Sequence, residues 1–180
     1  MLPFAFFVKC RYTKINSKSA FHTRIFGDSS MNQENDTAIK TLCSYIAELP
    51  FHRLLGLDLD SFDAENRCIR FDMRPELMGN MHYKILHGGV IASILDTQGA
   101  FVLALDGAVR FEVASPGHPL IIKGGTIDLR VDYLRPGKGN SFVASGTILR
   151  IGKKVAVVRT ELRNEQDELI AVGTGTYLVG

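Results

Sequence analysis

The stretch His87-Gly88-Gly89-Val90-Ile91-Ala92-Ser93-Ile94-Leu95-Asp96 decides how this chain folds. His-Gly-Gly ahead of an apolar run reads as a helix start. The apolar pattern continues to Leu105, so a helix of about 18 residues begins at His87 or Gly88. Between Val90 and Leu105 the only charged residue is Asp96. A buried, ionised and unpaired carboxylate costs several kcal/mol, so this acid needs an offsetting partner or a chemical role. With Ile91, Ile94, Leu95, Phe101, Val102 and Leu105 around it, the helix is apolar on nearly all sides and belongs inside the fold.

Outward from this helix the chain alternates between strand and turn patterns. Ile39, Leu42, Cys43, Ile46 and Leu49 predict an amphipathic helix over 36–49, stopped by Pro50. Phe51 to Leu59 is expected to lead into a strand. Cys68 to Arg74 alternates and predicts another. Residues 77–86 read as a loop, and Ser115-Pro116-Gly117-His118-Pro119 as a turn. Ile127, Leu129, Val131 and Tyr133 alternate with Asp128, Arg130 and Asp132, the cleanest strand pattern in the sequence. Three further strands follow at Phe142–Ile151, Val155–Leu162 and Leu169–Val179. Their short connections require antiparallel pairing. The expected class is α+β: a curved antiparallel sheet, with a meander of at least four strands, wrapped around one long central helix.

A chain of 180 residues suits one domain, and 46% apolar with 22% charged residues is ordinary for a globular protein. The net charge of +2 belongs to the first 30 residues, which hold five basic residues and one acid. The remainder carries 16 basic and 18 acidic residues, which gives no support to a nucleic-acid partner. Residues 1–36 read as a leader, either disordered or an over-long start with Met31 as the true one, with organelle targeting as the other reading. Residues 37–180 form the single domain. Continuous apolar runs fall short of a membrane span. Cys10, Cys43 and Cys68 have no metal or redox spacing and are expected to be reduced, in keeping with a cytoplasmic location.

The helix itself suggests the chemistry. Ala92, Asp96, Gly99 and Ala100 share a face, with Ser93 adjacent, which leaves room for a substrate or a second chain. Backbone N–H groups at Gly88 and Gly89 can polarise a carbonyl, aided by the helix dipole. Asp96 can serve as general base or nucleophile. His87 and Asp96 lie nine residues apart, roughly 13 Å and 2.5 turns, so they face nearly opposite ways. One reacting centre therefore meets both only across two subunits, which predicts an obligate homodimer. Neither role needs a metal, and no ligand set for one is visible.

Several longer runs resemble the hotdog-fold thioesterases of the PaaI type, nearest to the YigI-like acyl-CoA thioesterases. They are Met78-Gly79-Asn80, Ile85 to Ser93 with Leu95-Asp96, Gly125 to Gly137, Lys154 to Val157, and Thr176 to Gly180. The resemblance covers residues 37–180. It implies hydrolysis of medium- to long-chain acyl-CoA to fatty acid and coenzyme A, with no cofactor beyond the substrate's own coenzyme A. By position it makes Asp96 the catalytic carboxylate, Gly88 the carbonyl-polarising amide, and His87 the residue that orients that loop. Asn80 is assigned to the site as well, although it stands seven residues before the histidine where many PaaI-type members have six. Met81 occupies that sixth place and is expected near the substrate with Gly89. Arg135, Lys138, Arg150, Lys153 and Lys154 are candidates for the phosphates of coenzyme A, or else solvated turn residues. The resemblance also admits a dimer of dimers, an aromatic acyl group, or a non-catalytic acyl-CoA sensor on the same fold. His22, His52, His82 and His118 show no partner pattern and are assigned to surface or turns.

Overall fold

A computed structural model describes residues 42–58, 67–106, 110–113 and 120–179. The leader and the 115–119 turn lie outside them. Residues 42–48 form helix α1, whose Leu42, Cys43 and Ile46 are buried. The chain does not then enter a strand. Pro50, at the first helical position, starts a second helix, α2 (Pro50–Leu55). Gly56 ends α2 in the left-handed region at φ 68°, where its N–H reaches back to the carbonyls of His52 and Arg53. Asp58 bridges to Arg70 in extended form, so the stretch expected to lead into a strand begins as this helix, and its continuation from Leu59 lies outside the described residues.

β1 (Ile69–Asp72) follows, within the span expected of it. A 3-10 turn (Pro75–Leu77) leads into two short strands, β2 (Met78–Asn80) and β3 (Ile85–Leu86), paired antiparallel where a loop was expected. The helix α3 (Gly88–Leu105) is 18 residues long, as its pattern predicts. After it come β4 (Arg110–Val113) and β5 (Leu120–Lys123), an antiparallel pair apart from the main sheet. The long strands are β6 (Gly125–Tyr133), β7 (Ser141–Ile151), β8 (Val155–Asn164) and β9 (Leu169–Leu178).

The main sheet has the order β1-β7-β8-β9-β6, with every pair antiparallel. The expected four-strand meander is thus three strands, β7 to β9. β6 pairs with β9 and not with its sequence neighbour β7. Residues 134–140 therefore carry the chain from one side of the sheet toward the other. Leu134 and Arg135 N–H donate to Ile170 O, and Gly137 O accepts from Leu86 N–H. A Cβ at Gly137 would sit 2.9 Å from that of Leu86, so only glycine allows this approach. The crossing segment thereby holds β3, and with it the start of α3.

One face of the sheet packs on α3. Ile91, Ile94, Leu95, Phe101, Val102 and Leu103 are buried with Phe142, Ala144, Val158, Leu162 and Ala171. Each large apolar side chain buried here contributes about 1.5–3 kcal/mol. Gly146, Thr160 and Gly173 stand opposite one another across β7, β8 and β9. A Cβ at Gly146 would come within 3.2 Å of Val102, and one at Gly173 within 3.4 Å of Leu95. Small residues thus line the track where the helix rides closest. Gln98, fully buried, accepts from Ile69 N–H at 2.9 Å and donates to Arg67 O at 2.8 Å, pinning the start of β1 to the helix.

By length and composition α3 is the one helix among the described residues apolar enough to cross a membrane. It is instead the core helix of the sheet. Cys68 is disulfide-bonded. This departs from the reduced state that the cysteine spacing suggests.

Candidate active site

The start of α3 is built by β2 and β3. His87 N–H donates to Leu77 O, and a Cβ on Gly79 would lie 2.7 Å from the His87 Cα, so β2 presses directly on this residue. His87 is the N-cap in extended conformation. Its Nδ1 accepts from the Gly89 N–H at 2.9 Å. This corrects the expectation of two free amides, because Gly89 is occupied by the cap. It also puts the proton of the neutral imidazole on Nε2, in a side chain that is exposed. Gly88, at the first helical position, has no intrahelical partner for its N–H. Its carbonyl accepts from the Tyr133 hydroxyl at 2.9 Å. Asn80 sits in this hairpin, its Oδ1 held by Tyr83 N–H at 3.0 Å. Met81 follows at the turn and is 70% exposed.

Asp96 lies half-buried further along the helix. Its Oδ1 accepts from the Thr126 hydroxyl at 2.8 Å. Tyr177, almost fully buried, donates to the Asp96 carbonyl at 3.2 Å. The Tyr177 ring fills the place that Gly99 leaves vacant, where a Cβ would meet its hydroxyl at 2.0 Å. The small-residue face expected around Asp96 is therefore partly closed by the chain's own tyrosine, and it opens at Ala100, which is exposed.

Thr126 reaches Asp96 because of a β-bulge. The pairing of β6 with β9 slips between Thr126 and Asp128, which turns the following side chains to the opposite face. Leu129, Val131 and Tyr133 stand opposite Gly175, Gly173 and Ala171, on the helix side as the alternation predicts. Thr126 stands opposite Tyr177 on that same side, while Ile127 is turned out and is 57% exposed.

Burial, followed by the nearby Asp96 charge, holds the Tyr177 phenol well above the ordinary tyrosine range. A raised pKa in the folded state means stability that is present below the unfolded value and lost above it. We expect the unfolding free energy to fall as pH rises past about 10, the ordinary tyrosine value. The fall should be shallower in Tyr177→Phe when both proteins are unfolded in urea at successive alkaline pH values. Equal slopes would remove Tyr177 as the cause.

The basic candidates divide between the two ends of the sheet. Arg135 and Lys138 lie beyond Tyr133, near the start of α3; Arg135 Nη1 donates to Leu169 O at 2.9 Å, and Lys138 bridges to Ile85. Lys153 and Lys154 are exposed in the β7–β8 turn, where Lys154 O accepts from Val179 N–H. Val155 pairs with Leu178, which also pairs with Gly125, so this turn lies at the Thr126 end. Arg150 is exposed in β7. Among the described residues no group of three or more His, Cys, Asp or Glu could hold a metal ion.

His52, assigned from sequence to surface or turn, instead faces the site. Its Nδ1 is 2.8 Å from Ile46 O and its Nε2 is 3.4 Å from the Thr97 hydroxyl. It lines a cleft of about 170 Å³ together with Asp96, Thr97 and Thr126. The Gly88 amide and the Asp96 carboxylate, by contrast, stand about 12 Å apart along a continuous helix.

A long helix laid on one face of an antiparallel sheet is the frame of the hotdog fold. A family model for the thioesterase superfamily matches residues 83–171. The chain is 45% identical over 138 residues to the medium/long-chain acyl-CoA thioesterase YigI of Salmonella typhimurium, covering 76% of this chain and 89% of that one. It is 44% identical to YigI of Escherichia coli K12 over the same shares. A crystal structure from Shewanella oneidensis, related to the thioesterase superfamily, superposes with a TM-score of 0.65 at 39% identity, covering 82% of this chain and 98% of that one. The chain belongs to the thioesterase superfamily, and it is a thioester hydrolase.

Proposed function

We propose that the protein hydrolyses medium- to long-chain acyl-CoA as a homodimer, each site combining Gly88 of one subunit with Asp96 of the partner subunit. The observation that carries this reading is the placement of Asp96, half-buried and held by Thr126 at an apolar cleft. The similarity to YigI supports the substrate class.

In this mechanism the Gly88 N–H, with the dipole of α3 behind it, polarises the thioester carbonyl. His87 fixes the tip of the helix through its bond to Gly89. Asp96 of the partner subunit takes a proton from water as the water oxygen bonds to the carbonyl carbon. The tetrahedral intermediate collapses, the C–S bond breaks, and the thiolate of coenzyme A leaves with the free acid as co-product. No step calls for a metal or a further cofactor. The edge strand β6 supports a partner on that side, since its Ile127 and Tyr133, with the adjoining Leu134, are half or more exposed. Arg135 and Lys138 near Gly88 are the better placed candidates for the phosphates. Asn80, exposed at the end of β2 with its Oδ1 held by Tyr83 N–H, is assigned to the substrate as well.

Thiol release from a panel of acyl-CoA esters, followed with a thiol-reactive dye, tests this. We expect turnover rising from hexanoyl- to decanoyl- and palmitoyl-CoA and lower on benzoyl-CoA. Saturable binding of acyl-CoA without any thiol release would make the protein a sensor and overturn the proposal.

A further inference from the structure

The cleft at Asp96 extends well past the carboxylate. Its walls are Ile46 and Leu49 from the α1–α2 segment and Ala100, Phe101, Leu103 and Ala104 from α3. Asp96, Ala100 and Ala104 follow one another at four-residue steps, so they lie along one face of the helix. Asp96 stands at one end of this row, and Ala104 lies about 12 Å further along the axis. The polar atoms of the wall are turned toward each other. His52 engages Ile46 O through Nδ1 and the Thr97 hydroxyl through Nε2. What remains is a mainly apolar slot along which Ala100 and Ala104 present the smallest side chains of that helix face.

We infer that this slot takes the tail of the acyl chain, and that Ala100 and Ala104 set the length it accepts. The inference rests on the proposed thioesterase reading and deepens it. A linear aliphatic tail fits the observations because the slot is long and carries charge only at Asp96, beside the reacting carbonyl. A free peptide or sugar would leave polar groups unpaired against Leu49, Ala100 and Ala104. Each methylene that enters such a slot raises affinity roughly fourfold.

The test uses Ala100→Leu and Ala104→Leu in the full chain, since leucine matches alanine closely as a helix former. The ratio of kcat/KM on palmitoyl-CoA to that on hexanoyl-CoA is measured for each variant. Three added carbons displace about as many methylenes, so the ratio should fall roughly 10- to 100-fold in Ala104→Leu. Ala100→Leu, nearer to Asp96, should also depress decanoyl-CoA. Ratios within twofold of the unaltered protein in both variants would overturn the slot. Binding of S-hexadecyl-CoA, a thioether that cannot be hydrolysed, separates this result from failure of the thioesterase reading. Weaker binding in Ala104→Leu supports the slot even in a protein that releases no thiol, and unchanged binding rejects it.

Discussion

Asp96→Asn should lower kcat by roughly 10²–10⁴-fold, the range that a positioned general base supplies. The substitution keeps the shape of the side chain. The Thr126 hydroxyl can still donate to the amide oxygen, as it now does to Oδ1 at 2.8 Å. Tyr177 binds the backbone carbonyl of residue 96 and is untouched by the change. Removing a charge from a half-buried position in an otherwise apolar helix should not weaken the fold. We therefore expect the melting temperature to hold while turnover falls. Near-normal thiol release from every acyl-CoA tested would show that Asp96 is structural.

The second large effect belongs to Gly88. Gly88→Pro removes one N–H and very little else. Proline is favoured at the first helical position, where no intrahelical bond is lost. His87 already has the extended conformation, φ −67° and ψ 138°, that a residue before proline requires. The cap from Gly89 N–H to His87 Nδ1 is unaffected. Loss of one carbonyl-polarising donor costs roughly 10²–10³-fold in kcat. Gly88→Ala retains the N–H, and its Cβ would rest 3.6 Å from the Tyr133 ring, an ordinary contact. The alanine variant should then stay within about tenfold of the unaltered protein, since it keeps the donor that this mechanism needs. Circular dichroism should show that α3 persists in both variants. Equal activity in the proline and alanine variants would exclude the amide as the polarising group.

The central helix and its acid were readable from the sequence because both signals are local. An 18-residue apolar run with one carboxylate and His-Gly-Gly at its head has few alternatives. The strands β7 to β9 were equally plain, since short turns fix their pairing. Nonlocal features were hidden. Nothing in the alternation of Ile127 to Tyr133 marks the bulge that sets Thr126, and not Ile127, on the helix side. The partner that offsets the cost of Asp96 was therefore missed. Tyr177 lies in the sequence within Thr176 to Gly180, where nothing local marks its contact with the helix. Its place follows from two glycines, Gly99 and Gly175, that leave room for its ring. Gly99 stands 78 positions before it in the chain. His52 was missed because Pro50 was read as a stop, whereas it also starts the helix that carries this histidine to the cleft.

In the proposed mechanism the Gly88 amide and Asp96, about 12 Å apart along one helix, meet only across two chains. Mixing separately purified Asp96→Asn and Gly88→Pro proteins under subunit exchange tests this most directly. Each alone should be nearly inactive. A mixed dimer holds one site with both changes and one with neither, so random pairing should restore about one quarter of the unaltered activity. Mixed dimers that form, as shown by differently tagged chains, and yet remain as inactive as the parents would contradict a site shared between subunits.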